Sequence, residues 1–393
     1  MIYTKNIYTT SIYTVSKKLL SLMLALFVLI GLSGCTTNNQ STEIKTVKIG
    51  VIAPLSGPAA GPGEDMISIY KMAVDEFNTQ NTNTNIQLII EDGKCSGKDA
   101  TSATQKLINI DKIDILFGGV CSSEVIASAQ ITQPLKILNF SAAGSSPLIS
   151  KIGDYVFRFY NDLDDAKFLT KYIQEKGISK VGLIYENSDY AISYQDTFKK
   201  LFSGNIVFEK KYNSDEKDFN IIIKSIQKDL PNIEKLILIP QTDTSFISII
   251  KSLDKYGDIK KNGPKIMVSS IARTNTTFES IPNLIEGISS VMLPDYGILG
   301  DQSENFINNL KLNYTLKSNA LYAVFFKESI DLILRAIQDG NYNSDTIKKY
   351  ITNFGPQNLI NGYRGKYYFT GSDTIGLKMI IQQIQSGTLV TIQ

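Results

Sequence analysis

From Thr46 onward, short apolar runs alternate with amphipathic segments, and this alternation constrains the fold more than any other feature of the chain. Val47 to Ala53 reads as a strand. Glu64 to Phe77 reads as a helix with Met66, Ile69, Tyr70, Ala73, Val74 and Phe77 on one face, and Ile86 to Glu91 as a second strand. The pattern repeats through helix Ala100 to Ile110, strand Ile113 to Phe117, helix Ser123 to Ile131 and strand Ile137 to Phe140. A second series follows. Its strands are Val181 to Tyr185, Ile206 to Lys210, Lys235 to Ile239 and Lys265 to Val268, and its helices are Tyr190 to Leu201, Phe219 to Leu230 and Ser245 to Tyr256. Such βαβ repetition predicts an α/β fold of two doubly wound, parallel-sheet lobes with helices on both faces.

After Gly287 the order is less regular: a strand over Ile288 to Leu293, helices near Asn305 to Lys311 and over Leu321 to Gln338, and a hairpin of Leu377 to Gln383 with Leu389 to Ile392. A closing stretch that cannot form a domain of its own must be shared between the lobes. The first lobe is expected over 46–159 plus 290–362 and the second over 160–289 plus 363–393. The chain then crosses between them more than once, which makes a hinge.

The N-terminus is a separate object. Lys5, Lys17 and Lys18 precede the apolar run Leu19 to Gly31, as in a secretory signal, and the run is shorter than the roughly 20 residues that span a bilayer comfortably. Leu32-Ser33-Gly34-Cys35 resembles a lipobox. The expectation is a lipoprotein signal over 1–34 with lipid on Cys35; an uncleaved anchor is the alternative. Either puts the folded part outside the cytoplasmic membrane, held at its surface. Residues 35–45 begin with the polar Thr36 to Thr42, which suits a flexible tether.

Among all 393 residues there is no His. Imidazole bases, Ser-His-Asp and Cys-His triads and His-ligated metals are excluded, and three Cys cannot complete a four-thiolate zinc site. The formal charge of +2 and the lack of a Lys/Arg cluster argue against a nucleic-acid partner. With Cys35 assigned to lipid, Cys95 and Cys121 remain as a pair in an oxidising compartment, where a bridge is favoured over a free thiol. Neither has a basic cluster beside it to activate it.

In open parallel sheets ligands bind beyond the carboxyl ends of the strands. The loops there are Pro54 to Gly63, Gly118 to Ser123 and Ser141 to Pro147. Gly61-x-Gly63 lacks the third glycine of a dinucleotide fingerprint, so no cofactor is expected. The serine-rich loops either receive a carboxylate or small anion on backbone N–H groups and hydroxyls, or serve only as helix caps.

These residues also carry a family likeness. Lys48 to Pro58 (KIGVIAPLSGP), Glu91-Asp-Gly-Lys-Cys95, Gly118-Gly-Val-Cys-Ser-Ser123, Ala142 to Pro147 and Asn361-Gly-Tyr-Arg-Gly365 resemble the periplasmic leucine/isoleucine/valine-binding proteins, type I solute receptors of ABC importers. The likeness runs over Lys45 to Gln393. It implies a Cys95–Cys121 disulfide presenting the Ser122 loop. It also implies that Val120, Cys121 and Ser122 contact the main-chain groups of an amino-acid ligand, that Ala143, Gly144 and Ser145 form a carboxylate subsite with Ser145 supplying the hydroxyl, and that Tyr190 closes over the ligand. Where the family has a tyrosine, an ammonium-pairing acid and a second tyrosine, this chain has Thr242, Ser270 and Lys327. The missing acid argues against a zwitterion unless Asp243 or Glu328 supplies the charge.

Ser-x-x-Lys matches such as Ser214 to Lys217 read as chance surface pairs, and Asp164-Asp165 and Glu91-Asp92 as helix-start and strand-end charges. No catalytic site and no metal site is expected. The reading is a monomeric, lipid-anchored extracytoplasmic receptor that binds an amino acid or similar solute between two lobes and delivers it to an ABC permease. A ligand-sensing surface lipoprotein that signals to a membrane partner is the alternative.

Overall fold

The structure, a computed structural model, describes residues 44–159, 162–256, 265–269, 275–292, 301–375 and 379–393. The expected leader, Cys35 and the tether up to residue 43 lie outside these residues; Lys45, expected to end the tether, is instead the first residue of a strand. Lys45–Gln393 forms one compact unit. Among the described residues no helix is long and apolar enough to cross a membrane.

The strands, in chain order, are β1 Lys45–Ala53, β2 Thr84–Asp92, β3 Ile115–Phe117, β4 Leu138–Ser141, β5 Val156–Arg158, β6 Lys180–Glu186, β7 Asn205–Tyr212, β8 Lys235–Ile239, β9 Ile266–Val268, β10 Ser289–Met292, β11 Ile360–Gly362, β12 Gly365–Thr370, β13 Asp373–Ile375, β14 Ile380–Gln385 and β15 Thr388–Thr391. They form two sheets, ordered β11-β12-β13-β5-β4-β3-β1-β2 and β15-β14-β10-β9-β8-β6-β7. Pairing is parallel from β13 through β2 and from β10 through β7; antiparallel hairpins close the other edges. The predicted two-lobe α/β architecture is the one observed.

The strand distribution corrects the expected division at two points. β10 pairs with β9 and β14, so 289–292 belongs to the second sheet. β12 and β13 complete the first, so its chain extends to Ile375 and not only to 362. Hairpin edges are recruited by hydrogen bonding to an open parallel edge, which leaves no period in the sequence. β5 (VFR), only three residues long, is likewise too short to show a period.

Helix Ala60–Gln80 buries the predicted stripe of Met66, Ile69, Tyr70, Ala73, Val74 and Phe77 against one face of the first sheet. Helix Ala320–Gln338 shares that core, and Tyr70 and Ser329 join the two helices by a buried hydroxyl pair at 2.7 Å. Helices Gly97–Lys106 and Ser122–Thr132 cover the opposite face. The helix predicted to run to Ile110 closes instead in a π turn over Leu107–Asp111, ended by Lys112 in the left-handed region. The second sheet is sandwiched likewise: Asp162–Glu175 and Asp189–Leu201 lie on one face, Asn220–Ile226 and Asp243–Lys255 on the other.

A cleft lined from both lobes

The loops after β1, β3 and β4 meet the loops after β6 and β8 around one cleft. From the first lobe it is lined by Pro58, Ala59, Pro62, Val120, Cys121, Ser122, Ala143, Ser145 and Tyr322. The second lobe adds Tyr190, Gln241, Thr242 and Asp243.

The first-lobe half is pinned from below. Cys95 and Cys121 form a disulfide. Lys94 and Cys95 both adopt left-handed backbone (φ 52° and 56°), a conformation that side chains disfavour. It is held by Asp92, which accepts from the Lys94 N–H, the Leu55 N–H and the Ser56 hydroxyl. Burial pushes the Asp92 carboxyl up, but these three donors outweigh it and keep it below its ordinary range. Asp92 is thus the clamp between β2 and the first loop, and Glu91 pairs with Lys106; the carboxylate pair is structural.

Cys121 occupies the N-cap of helix Ser122–Thr132, and Glu124 reaches back from the helix's first turn. Its carboxylate accepts from the Cys95 N–H on one oxygen (3.0 Å), and from Val120 (3.1 Å) and Cys121 (3.0 Å) on the other. The N–H groups of Val120 and Cys121, expected to face the ligand, are therefore spent on Glu124. Burial pushes the Glu124 carboxyl up to about 7, with the Asp92 charge adding to the rise and the three N–H groups opposing it.

Ser122 is not a cap. Its Oγ accepts the N–H of Ser145 (3.1 Å) and of Ser146 (3.0 Å). With both lone pairs engaged, the hydroxyl proton is what it has left to offer the cleft. Gly144 donates its N–H to Ser141 Oγ at 2.9 Å and packs inward. A Cβ there would come within 2.6 Å of Val125 Cγ2, so glycine is needed to let the loop pass rather than to touch a ligand.

In the second lobe, Glu186 at the end of β6 is the counterpart of Glu124. It accepts from the Gln241 N–H at 3.1 Å and the Ser245 hydroxyl at 3.3 Å, and burial raises its pKa. Thr242 caps helix Asp243–Lys255 through the Ser245 N–H. Asp243 follows at its first position, and Thr277 donates to its Oδ1 at 3.2 Å. Tyr190 lies buried in the first turn of helix Asp189–Leu201.

Of the residues named from sequence, Val120, Cys121, Ser122, Ala143, Ser145, Tyr190 and Thr242 line the cleft. Ser270 lies outside the described residues. Lys327 lies elsewhere: it faces a groove between helices Ala60–Gln80 and Ala320–Gln338, with its Nζ at 2.6 and 2.7 Å from Asp331. Nor does Glu328 reach the cleft; it is fully buried against Arg364 at 2.8 Å. The tyrosine that this helix does bring to the cleft is Tyr322, five residues before Lys327. Gln241 and Asp243 follow β8, and the strand-end rule that selected the serine loops would have found them.

A sequence profile of the periplasmic binding protein family matches residues 46–388. The chain belongs to that family. Its sequence is 27% identical over 209 residues to a Leu/Ile/Val-binding protein of Citrobacter freundii, covering 50% of this chain and 56% of that one. It is likewise 27% identical over 192 residues to the Leu/Ile/Val-binding protein of Escherichia coli K12, covering 47% and 52%. The chain spans about half the length of the curated relatives it matches. The same fold occurs in a leucine binding protein of Thermotoga maritima (TM-score 0.76, 18% identity, 88% of this chain and 98% of that one). It occurs also in an R. palustris solute binding protein in complex with 4-hydroxybenzoate (TM-score 0.76, 19% identity, 89% and 96%). As a member of this family the chain has an extracytoplasmic setting, the setting in which a Cys95–Cys121 bridge persists.

Proposed function

We propose that this periplasmic binding protein is the solute receptor of an ABC importer, tethered through lipid on Cys35, and that it works as a monomer. In this reading it closes its two lobes on an α-amino acid and presents it to the permease. The observation that carries the ligand class is the placing of hydroxyl donors and an acid on opposite sides of the cleft. On the first-lobe side stand the Ser122 hydroxyl, with its proton to donate, and Ser145; together they suit a carboxylate. On the second-lobe side stands Asp243, the one charged residue of the lining among the described residues, which suits an ammonium. Pro58, Pro62, Val120 and Ala143 leave an apolar wall for an aliphatic side chain. The aromatic acid bound by the R. palustris protein has a carboxylate but no ammonium, so Asp243 is the residue that separates the two ligand classes.

Calorimetric titration with L-leucine, L-isoleucine and 4-hydroxybenzoate tests this. Heat is expected with an amino acid and not with the aromatic acid. Asp243→Asn is expected to weaken amino-acid binding by about 2 kcal/mol or more, since it leaves the ammonium desolvated without an anion. Silence with every small solute would sink the receptor reading.

A further inference from the structure

Ser145 and Ser146 are held from two sides. Their N–H groups rest on Ser122, and their carbonyls both accept from Nη1 of Arg158, Ser145 O at 2.7 Å. Arg158 ends β5 and is fully buried. Its Nε donates to Asp373 Oδ1 at 2.6 Å and its Nη2 to the Ser150 hydroxyl. That hydroxyl in turn lies 3.0 and 2.9 Å from the two Asp373 oxygens. Asp373 sits opposite Arg158 in the β13–β5 register, and Arg158 N–H donates to Ser372 O at 2.8 Å. A buried guanidinium with its donors divided among two loop carbonyls, a serine and a carboxylate is over-determined in position, and it transfers that rigidity to the loop.

We propose that Arg158, oriented by Asp373 and Ser150, is a positioning residue for the cleft: it sets the Ser145–Ser146 backbone so that Ser122 and Ser145 face a ligand together. The inference deepens the receptor reading and takes its functional meaning from it, although the loop geometry can be tested without any ligand. Hydrogen exchange of the full chain, read by mass spectrometry on peptides covering 141–148, decides it. Arg158→Lys keeps the charge but not the planar fork, and exchange in that segment is expected to rise about tenfold or more, with β1 and β3 unchanged. Asp373→Asn and Ser150→Ala should produce smaller rises in the same segment, and they carry the test if the lysine variant does not fold. Unchanged exchange in 141–148, or an even rise throughout the first lobe, would overturn the proposal. L-leucine titrated into the same variants should bind about tenfold more weakly than to the parent protein. A parent protein that ignores leucine would count against the amino-acid reading, while the exchange result would still decide the role of Arg158.

Discussion

Glu124 shows how one buried carboxylate organises a half-site. It gathers the N–H groups of both bridged cysteines and of Val120, at the cost of desolvation that raises its pKa from 4.5 to about 7. The sign of the linkage follows. Between pH 4.5 and about 7 the folded chain binds this proton more tightly than the unfolded chain, so the group's contribution to stability falls as pH rises through that window, by about 3 kcal/mol in all. Glu124→Gln removes the titration. The difference in unfolding free energy between parent and variant, measured by urea denaturation across pH 4.5 to 7, should slope accordingly; a flat difference would show that Glu124 does not titrate there. The serines are a separate test at the same scale. Ser122→Ala together with Ser145→Ala should weaken ligand binding by about 1 to 3 kcal/mol in calorimetry, because Ser122→Ala also strips the Ser145 and Ser146 N–H groups of their acceptor. Unchanged affinity would make both hydroxyls purely structural.

At the scale of elements, the Asn361 to Gly365 motif proves to be a joint between helix Ala320–Gln338 and the first sheet. Glu328 on the helix pairs with Arg364 between β11 and β12, and both side chains are almost fully buried. The guanidinium lies 4.2 Å from the centre of the Phe159 ring and 4.9 Å from that of Tyr367. Gly362 is required because a Cβ there would meet Glu328 Oε1 at 1.8 Å, and Gly365 because its φ is +98°. Glu328→Ala leaves the guanidinium buried and unpaired, and should cost about 3 to 5 kcal/mol in denaturant unfolding; the double change Glu328→Leu with Arg364→Met should recover much of that loss. If the single variant is as stable as the parent, the pair is not what holds the joint. Lys327, one residue earlier on this helix, points into the outer groove, so a single helical step separates a core ion pair from a surface one.

The whole molecule is two sheets whose chain passes between them three times, after β5, after β10 and after β13. A cleft lined from both lobes then gives a ligand simultaneous contacts that neither lobe makes alone, and binding to the folded state raises its stability by mass action. Under the amino-acid reading, L-leucine at about 100 times its Kd should stabilise the protein by about 2.7 kcal/mol. The expected accompaniment is a smaller radius of gyration in X-ray scattering. A rise in Tm without compaction would mean that ligand binds to lobes already closed, and neither effect would count against cleft binding.

What the sequence by itself determined is whatever depends on neighbours along the chain. The periods of 2 and 3.6 located the parallel strands β1 to β4 and β6 to β9 and the helices between them, but not the short β5 or the strands β11 to β13 that complete the first sheet. The strand-end rule pointed to the serine loops, and the absence of His excluded imidazole chemistry. Cysteine arithmetic left Cys95 and Cys121 as a pair, and family likeness added Ser145 and Tyr190 as candidates. What only the tertiary structure decided depends on groups far apart in sequence. Ser122 accepts from residues 23 and 24 positions away, Arg158 is locked by an aspartate 215 positions on, and Glu124 takes the N–H groups that the sequence had assigned to a ligand. No periodicity records such pairings, because a buried polar group is satisfied by whatever donor or acceptor the packing of distant segments brings within about 3 Å. The same reason separates Asp243 from Glu328: both are acids within reach of the argument from sequence, and only the fold sends one to the cleft and the other to the core.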